Sequence, residues 1–437
     1  MFNSIKFNRL SFAKLSTSLV VVMSLVLSQV TLVSMAQAAD TQQAPEKKKK
    51  RKTQLVGPQV GKKVQKAFEL YSGTDEVPSD IKGALAVLLD IDASKAYDKA
   101  YVSRMIAVMY AQLGDNEDKS IKYLKQAIAP DILNEQDQSE SLKLLGDLQM
   151  QTKDYRGALK SYQAWMDFSG KSDGQTYIKI ANAYYSLKEM DKVISPADKA
   201  IAAFGDKPNQ NPYILKLQSY YERKMYKDSV KVLETVIQLF PETKQWWTQL
   251  PSFYILVEDY DKAAQTLDLA YKLGHVDKEA QIKTLASLYS QSEAPFRAAR
   301  LLEKYIASGL VKRDDKNIAT LANTWHSAQN ISKAAGYYGE LAKMTGDAKH
   351  YRKQGMLLKQ DEQFSKAVVA LKKSLELGIN NEGRIHMSIA ESYFYLEKYK
   401  SAYSAILKAM KYPSTRKSAK GWKSFIADTA KRKNVNI

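Results

Sequence analysis

In the stretch "WTQLPSFYILVEDYDKAAQTLDLAYKLG", residues 247–274, apolar residues recur at intervals of three and four, the spacing of one helical face. Trp247, Leu250 and Tyr254 mark one such face, and Ala263, Leu267 and Ala270 mark a second. Glu258 and Asp259 interrupt the pattern between them, which predicts two short helices with Tyr260 filling the corner where they meet. The small Ala263 and Ala270 let the second helix lie close against the first. Such a hairpin cannot bury its apolar side alone and needs neighbours of the same kind.

The neighbours are present. Small residues that open a second helix recur at Ala84, Ser120, Ala158, Val193, Ser229, Ala263, Ala298, Ala334, Ala367 and Ala402, with intervals of 33 to 38 residues. Corners of one design precede five of them: "KDYRGAL", "KMYKDSV", "EDYDKAA", "EQFSKAV" and "EKYKSAY". The first helices bring their own rings at Tyr110, Tyr184, Tyr220, Tyr254, Tyr289, Trp325 and Tyr393, and these are read as packing. So even a period means one helical hairpin stacked many times.

This pattern resembles the tetratricopeptide repeat (TPR), whose signature runs Trp, Leu, Gly, Tyr through the first helix and Ala, Phe, Ala, Pro through the second. Trp247, Leu250, Tyr254, Ala263 and Ala270 match it, as do Leu145, Gly146, Tyr155 and Ala158, and Tyr220, Tyr226 and Pro241. The resemblance covers residues 60–412 and implies an all-α, TPR-like α-solenoid: a right-handed superhelix of about ten hairpins. Residues 413–437 are read as a C-terminal capping helix and basic tail, with Trp422, Phe425 and Ile426 covering the last hairpin. Three departures stand out. Pro251 must cost its helix a hydrogen bond or a kink, Trp165 replaces a small residue and should push two hairpins apart, and the first unit, Val60 to Ile91, is degenerate like an end cap.

Residues 1–38 carry Lys6, Arg9 and Lys14, then the apolar run Leu19 to Leu27, then Ala36-Gln37-Ala38. That order is the order of a cleavable signal peptide and predicts export, with a periplasmic destination. The chain contains no cysteine, which fits an oxidising compartment. Its formal net charge is +19. For an exported protein this favours anionic envelope surfaces over nucleic acid. The densest charge, "EKKKKRK", falls in residues 39–59, read as a basic flexible leader, and a second basic cluster from Arg416 to Lys433 closes the chain.

Motifs for chemistry are weak. "GKSDG", residues 170–174, has the letters of a nucleophile elbow but lies between two helices rather than after a strand. Its Gly-Lys-Ser has Trp165 where a phosphate-binding loop needs glycine. The four histidines, His275, His326, His350 and His386, show no metal-ligand spacing, and "DIDASKAYD" lacks the glycine and closing glutamate of a calcium loop. The expectation is therefore a protein that is not an enzyme and has no cofactor and no metal.

What remains is surface. Two residues before the rings lie Asn182, Gln218, Ser252, Ser287, Asn323 and Glu391, polar positions on otherwise apolar helices, and one residue after them come Tyr185, Tyr221 and His326. Amides and hydroxyls in this register can bond a peptide backbone, while the rings contact its side chains. In the family that the chain resembles, first helices line a concave groove that binds peptides or protein partners. The resemblance thus implies a periplasmic adaptor, and signal, leader and hairpins together are similar to the TPR proteins that accompany TonB-type energy-transduction systems. The alternative is a structural cell-envelope protein whose basic ends hold it on anionic membrane or wall polymer.

Overall fold

The computed structural model describes residues 51, 54–73, 78–114 and 116–437. The expected signal segment, most of the basic leader and the middle of the first corner lie outside the described residues.

Among the described residues ten helical hairpins follow one another, as the period predicts. They are α1 (Pro58–Ser72) with α2 (Ile81–Leu89), α3 (Ala96–Leu113) with α4 (Glu117–Ile128), and α5 (Glu135–Gln151) with α6 (Tyr155–Ser169). Next come α7 (Gly174–Ser186) with α8 (Ile194–Phe204), α9 (Gln210–Glu222) with α10 (Tyr226–Leu239), and α11 (Lys244–Leu256) with α12 (Tyr260–Lys272). The array continues with α13 (Glu279–Gln291) and α14 (Pro295–Ala307), α15 (Asp315–Ser327) and α16 (Ile331–Thr345), α17 (Ala348–Gln360) and α18 (Phe364–Glu376), and α19 (Glu382–Tyr395) and α20 (Tyr399–Met410). A last helix, α21 (Pro413–Arg432), packs on α20 and α19. Each hairpin rests on the next, so the core is a continuous seam rather than a single centre.

The small residues explain how the seam closes. All ten, from Ala84 to Ala402, have 0% of their surface exposed. Any larger side chain there would hold the two helices of its hairpin apart.

The corners are equally regular, for a backbone reason. Five residues before the small residue stands a left-handed residue in eight successive hairpins: Lys153, Lys188, Lys224, Glu258, Glu293, Gln329, Glu362 and Glu397, with φ between 55° and 64°. In seven of these hairpins the next N–H donates back to the carbonyl of the ring position, namely Tyr184, Tyr220, Tyr254, Tyr289, Trp325, Leu358 and Tyr393, at 2.8–3.0 Å. This six-to-one bond is the Schellman ending of a helix, and it ties ring, turn and second helix into one unit of fixed length. Aspartate or asparagine then caps several second helices; Asp154, Asp259 and Asn330 accept from the N–H groups of Gly157, Lys262 and Lys333.

Several details differ from the sequence reading. Trp246, 3% exposed, occupies the core in place of Trp247, whose indole instead donates to the Pro241 carbonyl at 2.7 Å. The two are adjacent in sequence, so helical spacing alone misplaced the ring by about 100°. Tyr260 does not plug its corner; it is 43% exposed, because the Schellman turn already closes the junction. Pro251 is buried inside α11, which stays helical through it; having no N–H, it costs the helix a hydrogen bond, as expected. Trp165 lies on its own hairpin partner α5, its indole donating to Ser139 Oγ at 3.0 Å with the Lys143 ammonium 4.5 Å from the ring centroid. On α21, Ile426, Ala419 and Ala430 are buried, Trp422 packs edge-on against Phe394, and Phe425 packs on the same ring at 5.0 Å while 48% exposed.

Candidate partner-binding face

The polar positions singled out in the sequence fall on five consecutive first helices: Asn182 on α7, Gln218 on α9, Ser252 on α11, Ser287 on α13 and Asn323 on α15. Each stands eleven residues before the fully buried small residue of its own hairpin, so all five share one register relative to the core. Asn182, Gln218 and Ser252 are half-buried, and Ser287 and Asn323 are exposed.

Their hydrogen-bond states divide them. Among the described residues, no hydrogen bond is formed by the side chains of Asn182, Gln218, Ser252 or Ser287, so their donors and acceptors face solvent unspent. Asn323 is partly committed: its carbonyl accepts from the Tyr338 hydroxyl, which leaves the NH2 group. Tyr221 packs edge-on against Phe253 at 5.8 Å and leans on Tyr226 at 6.1 Å, joining α9 to α10 and α11. Tyr185 packs beside the core of the fourth hairpin. His326 is half-buried, and burial followed by the nearby Lys353 charge lowers its pKa, so the ring is neutral at pH 7.

Counting eleven back from the small residue, rather than looking for an aromatic neighbour, reveals positions that the sequence reading passed over. In α5 the position is Asp147, which accepts from the Tyr162 hydroxyl and from Lys179, both at 2.6 Å. In α17 it is Met356, 40% exposed, which interrupts the polar ladder before Glu391 resumes it on α19, paired with Lys359.

A second ladder, also missed, stands five residues after the small residue on second helices: Asp198, Glu234, Asp268 and Glu303. Each reaches a later helix. Asp198 pairs with Lys216 at 2.6 Å, and Glu234 accepts from the Tyr254 hydroxyl at 2.6 Å. Asp268 accepts from Tyr289, with Lys272 at 2.9 Å and Arg297 at 3.1 Å, while Glu303 holds Tyr337 and Lys333, each at 2.7 Å. Burial and the facing carboxylates push the Tyr254, Tyr289 and Tyr337 hydroxyls upward, so all three act as donors. These acids weld hairpin to hairpin.

The "GKSDG" stretch joins α6 to α7 as a turn, with Asp173 capping α7 through the Thr176 N–H. Among the described residues no group of three or more His, Asp or Glu side chains could hold a metal, and no helix is long and apolar enough to cross a membrane.

Ten hairpins of this geometry define an all-α, TPR-like solenoid. No family model matches the chain, and no curated protein matches it. Among solved structures it is similar to a TPR protein from Parabacteroides merdae, at 15% identity and TM-score 0.33, covering 58% of this chain and 98% of that one. It is also similar to YrrB, a TPR protein with an unusual peptide-binding site, at 15% identity and TM-score 0.33 over 47% of this chain and 99% of that one. A third is the TPR2AB-domain:pHSP90 complex of yeast Sti1, at 15% identity and TM-score 0.24 over 66% and 98%. With scores this low the fold rests on the hairpin geometry itself.

Proposed function

We propose that this protein is a scaffold that binds a protein partner through the face of its first helices. One observation carries the reading: Asn182, Gln218, Ser252 and Ser287 repeat in one register on four consecutive first helices, with their hydrogen-bonding capacity unused. An extended peptide backbone presents donors and acceptors at regular intervals and is the natural complement. The order of charged, apolar and small residues in 1–38 supports export to the periplasm, and the resemblance to exported TPR proteins supports a place beside a TonB-type system.

Crosslinking in the cell followed by identification of the captured protein supplies the partner for titration. Asn182→Ala with Gln218→Ala removes hydrogen bonds of about 0.5–1.5 kcal/mol each, which weakens that partner roughly tenfold or more and leaves the fold intact. Wild-type affinity in the double variant would move the partner to another face.

A second reading, attachment to an anionic envelope surface, is favoured by α21, a helix that carries half-exposed Phe425 together with the exposed Lys417, Lys420, Lys431 and Arg432. Binding to anionic vesicles that vanishes at high salt and on Phe425→Ser would support it.

A further inference from the structure

Helix α16, "ISKAAGYYGELAKMT", contains two interior glycines, and α17 contains one. A glycine inside a helix is destabilising relative to alanine, so each calls for a reason. Gly339 and Gly355 have one. A Cβ on Gly339 would stand 2.2 Å from Gln354 Nε2, and one on Gly355 would stand 2.6 Å from Leu371 Cγ. Gly336 has none, for a Cβ there would meet nothing within 4 Å. The same register is filled by the long side chains of Lys160, Lys231, Gln265 and Arg300 in α6, α10, α12 and α14, and by Ala86, Ser195 and Ser404 in α2, α8 and α20, so α16 alone has no side chain there.

Gly336 borders a cleft of about 740 Å³ between α16 and α18, floored by α17. Gly336 and Val369, the equivalent residue of the next hairpin, stand on its opposite walls, and Val369 is among the most exposed aliphatic side chains of the array. Leu358, Ala335 and Ala370 make the interior apolar. The rim is cationic: Lys343, Lys366, Lys372 and Lys373 face it, with Glu376 as the one carboxylate. Glu376 is spent on Lys373 at 3.1 Å, and Lys343 forms no hydrogen bond or ion pair among the described residues. Met356, the α17 member of the first-helix ladder, does not line the cleft, so this is a separate surface.

We infer that the cleft is a second docking site, for an acidic peptide segment that inserts one apolar side chain between Gly336 and Val369 and sets its carboxylates against the lysine rim. An apolar interior with a positive rim selects that combination: carboxylates without an apolar anchor gain only screened surface pairing, and an apolar group among basic residues meets like charge.

The test uses the purified full chain and a fluorescein-labelled peptide in which one leucine is flanked by glutamates, followed by fluorescence anisotropy. Saturable binding is expected, lost on replacing the leucine by serine or the glutamates by lysines. Gly336→Phe, which fills the cleft, and Lys343→Glu with Lys373→Glu, which reverses its rim, should each weaken the probe roughly tenfold or more. Helicity by circular dichroism shows that the variants fold; if Gly336→Phe does not, Val369→Trp blocks the cleft from the other wall. Asn182→Ala with Gln218→Ala should leave probe affinity unchanged, which separates this site from the first-helix face. Equal binding of the serine peptide, wild-type affinity in the cleft-filling variant, or saturable binding of dodecanoate with no binding of the peptide would each overturn the inference.

Discussion

The three glycines of the eighth and ninth hairpins turn the packing argument into a prediction of opposite signs for one substitution. In Gly355→Ala the new methyl would lie 2.6 Å from Leu371 Cγ, 2.8 Å from Cδ2 and 3.1 Å from the Leu371 backbone nitrogen. Leu371 is fully buried in α18, so its side chain has nowhere to turn, and its nitrogen moves only with the whole helix. Overpacking of this kind costs about 1–3 kcal/mol. The helix gains about 1 kcal/mol by losing a glycine, which leaves a net loss of up to about 2 kcal/mol. In Gly336→Ala the methyl points into open space and the backbone is already helical, so only the gain survives, about 0.4–1 kcal/mol. Urea denaturation followed by circular dichroism should move the two midpoints in opposite directions. Because stacked repeats need not unfold in one step, amide hydrogen exchange in α17 and α18 gives the local version of the measurement. A Gly355→Ala variant as stable as wild type, or a destabilised Gly336→Ala, would refute the account of both sites.

Ala263→Arg should cost several kcal/mol, since the residue is wholly buried between α11 and α12 and a lone charge there finds no partner; an unchanged melting temperature would show that the repeat register is wrong. Glu258→Gly should raise stability by about 1 kcal/mol, because a residue with φ of 61° is strained unless it is glycine, and a lowered denaturation midpoint would contradict this. For Asp268, burial raises the pKa but is outweighed by the Tyr289 hydroxyl, Lys272 and Arg297, so the folded value lies below the ordinary one. Its contribution is fully present above about pH 3.9, the unfolded value, and fades as pH falls through the lower folded value. The stability gap between wild type and Asp268→Asn should therefore hold steady down to about pH 4 and narrow as pH falls further, as thermal melts at each pH would show; a gap that stays constant below that pH would mean that the carboxylate is not held as described.

The array itself was legible because its signals are periodic. The ten small residues could be counted from the sequence, and all ten are buried. The corners were legible in place but not in mechanism. Lysine, glutamate and glutamine carry no turn signature, so nothing in "KMYKDSV" announces that Lys224 adopts a left-handed conformation. Only the bond from the Met225 N–H to the Tyr220 carbonyl shows why. Trp246 and Trp247 mark another limit, since two adjacent large rings both fit a three-and-four pattern and only packing decides which enters the core.

The candidate surfaces were harder to read for a related reason. Repetition fixes the frame, and anything functional must be written at positions where one hairpin departs from its neighbours. A search for aromatic rings finds the repeats that obey the rule and misses α5 and α17, where Gln149 and Leu358 stand at the ring position. The two helices so missed carry Asp147, tied into the lattice by Tyr162 and Lys179, and Met356, which breaks the polar ladder. Gly336 is a departure of the same kind, visible only once its register partners Lys160, Lys231, Gln265 and Arg300 are laid beside it. In a chain of stacked hairpins the buried positions vary little because each must satisfy the same Schellman turn and the same close approach. Exposed positions in a shared register carry no such constraint, so an odd residue there, such as a helical glycine with open space at its Cα, is not explained by packing and cannot be foreseen from the repeat.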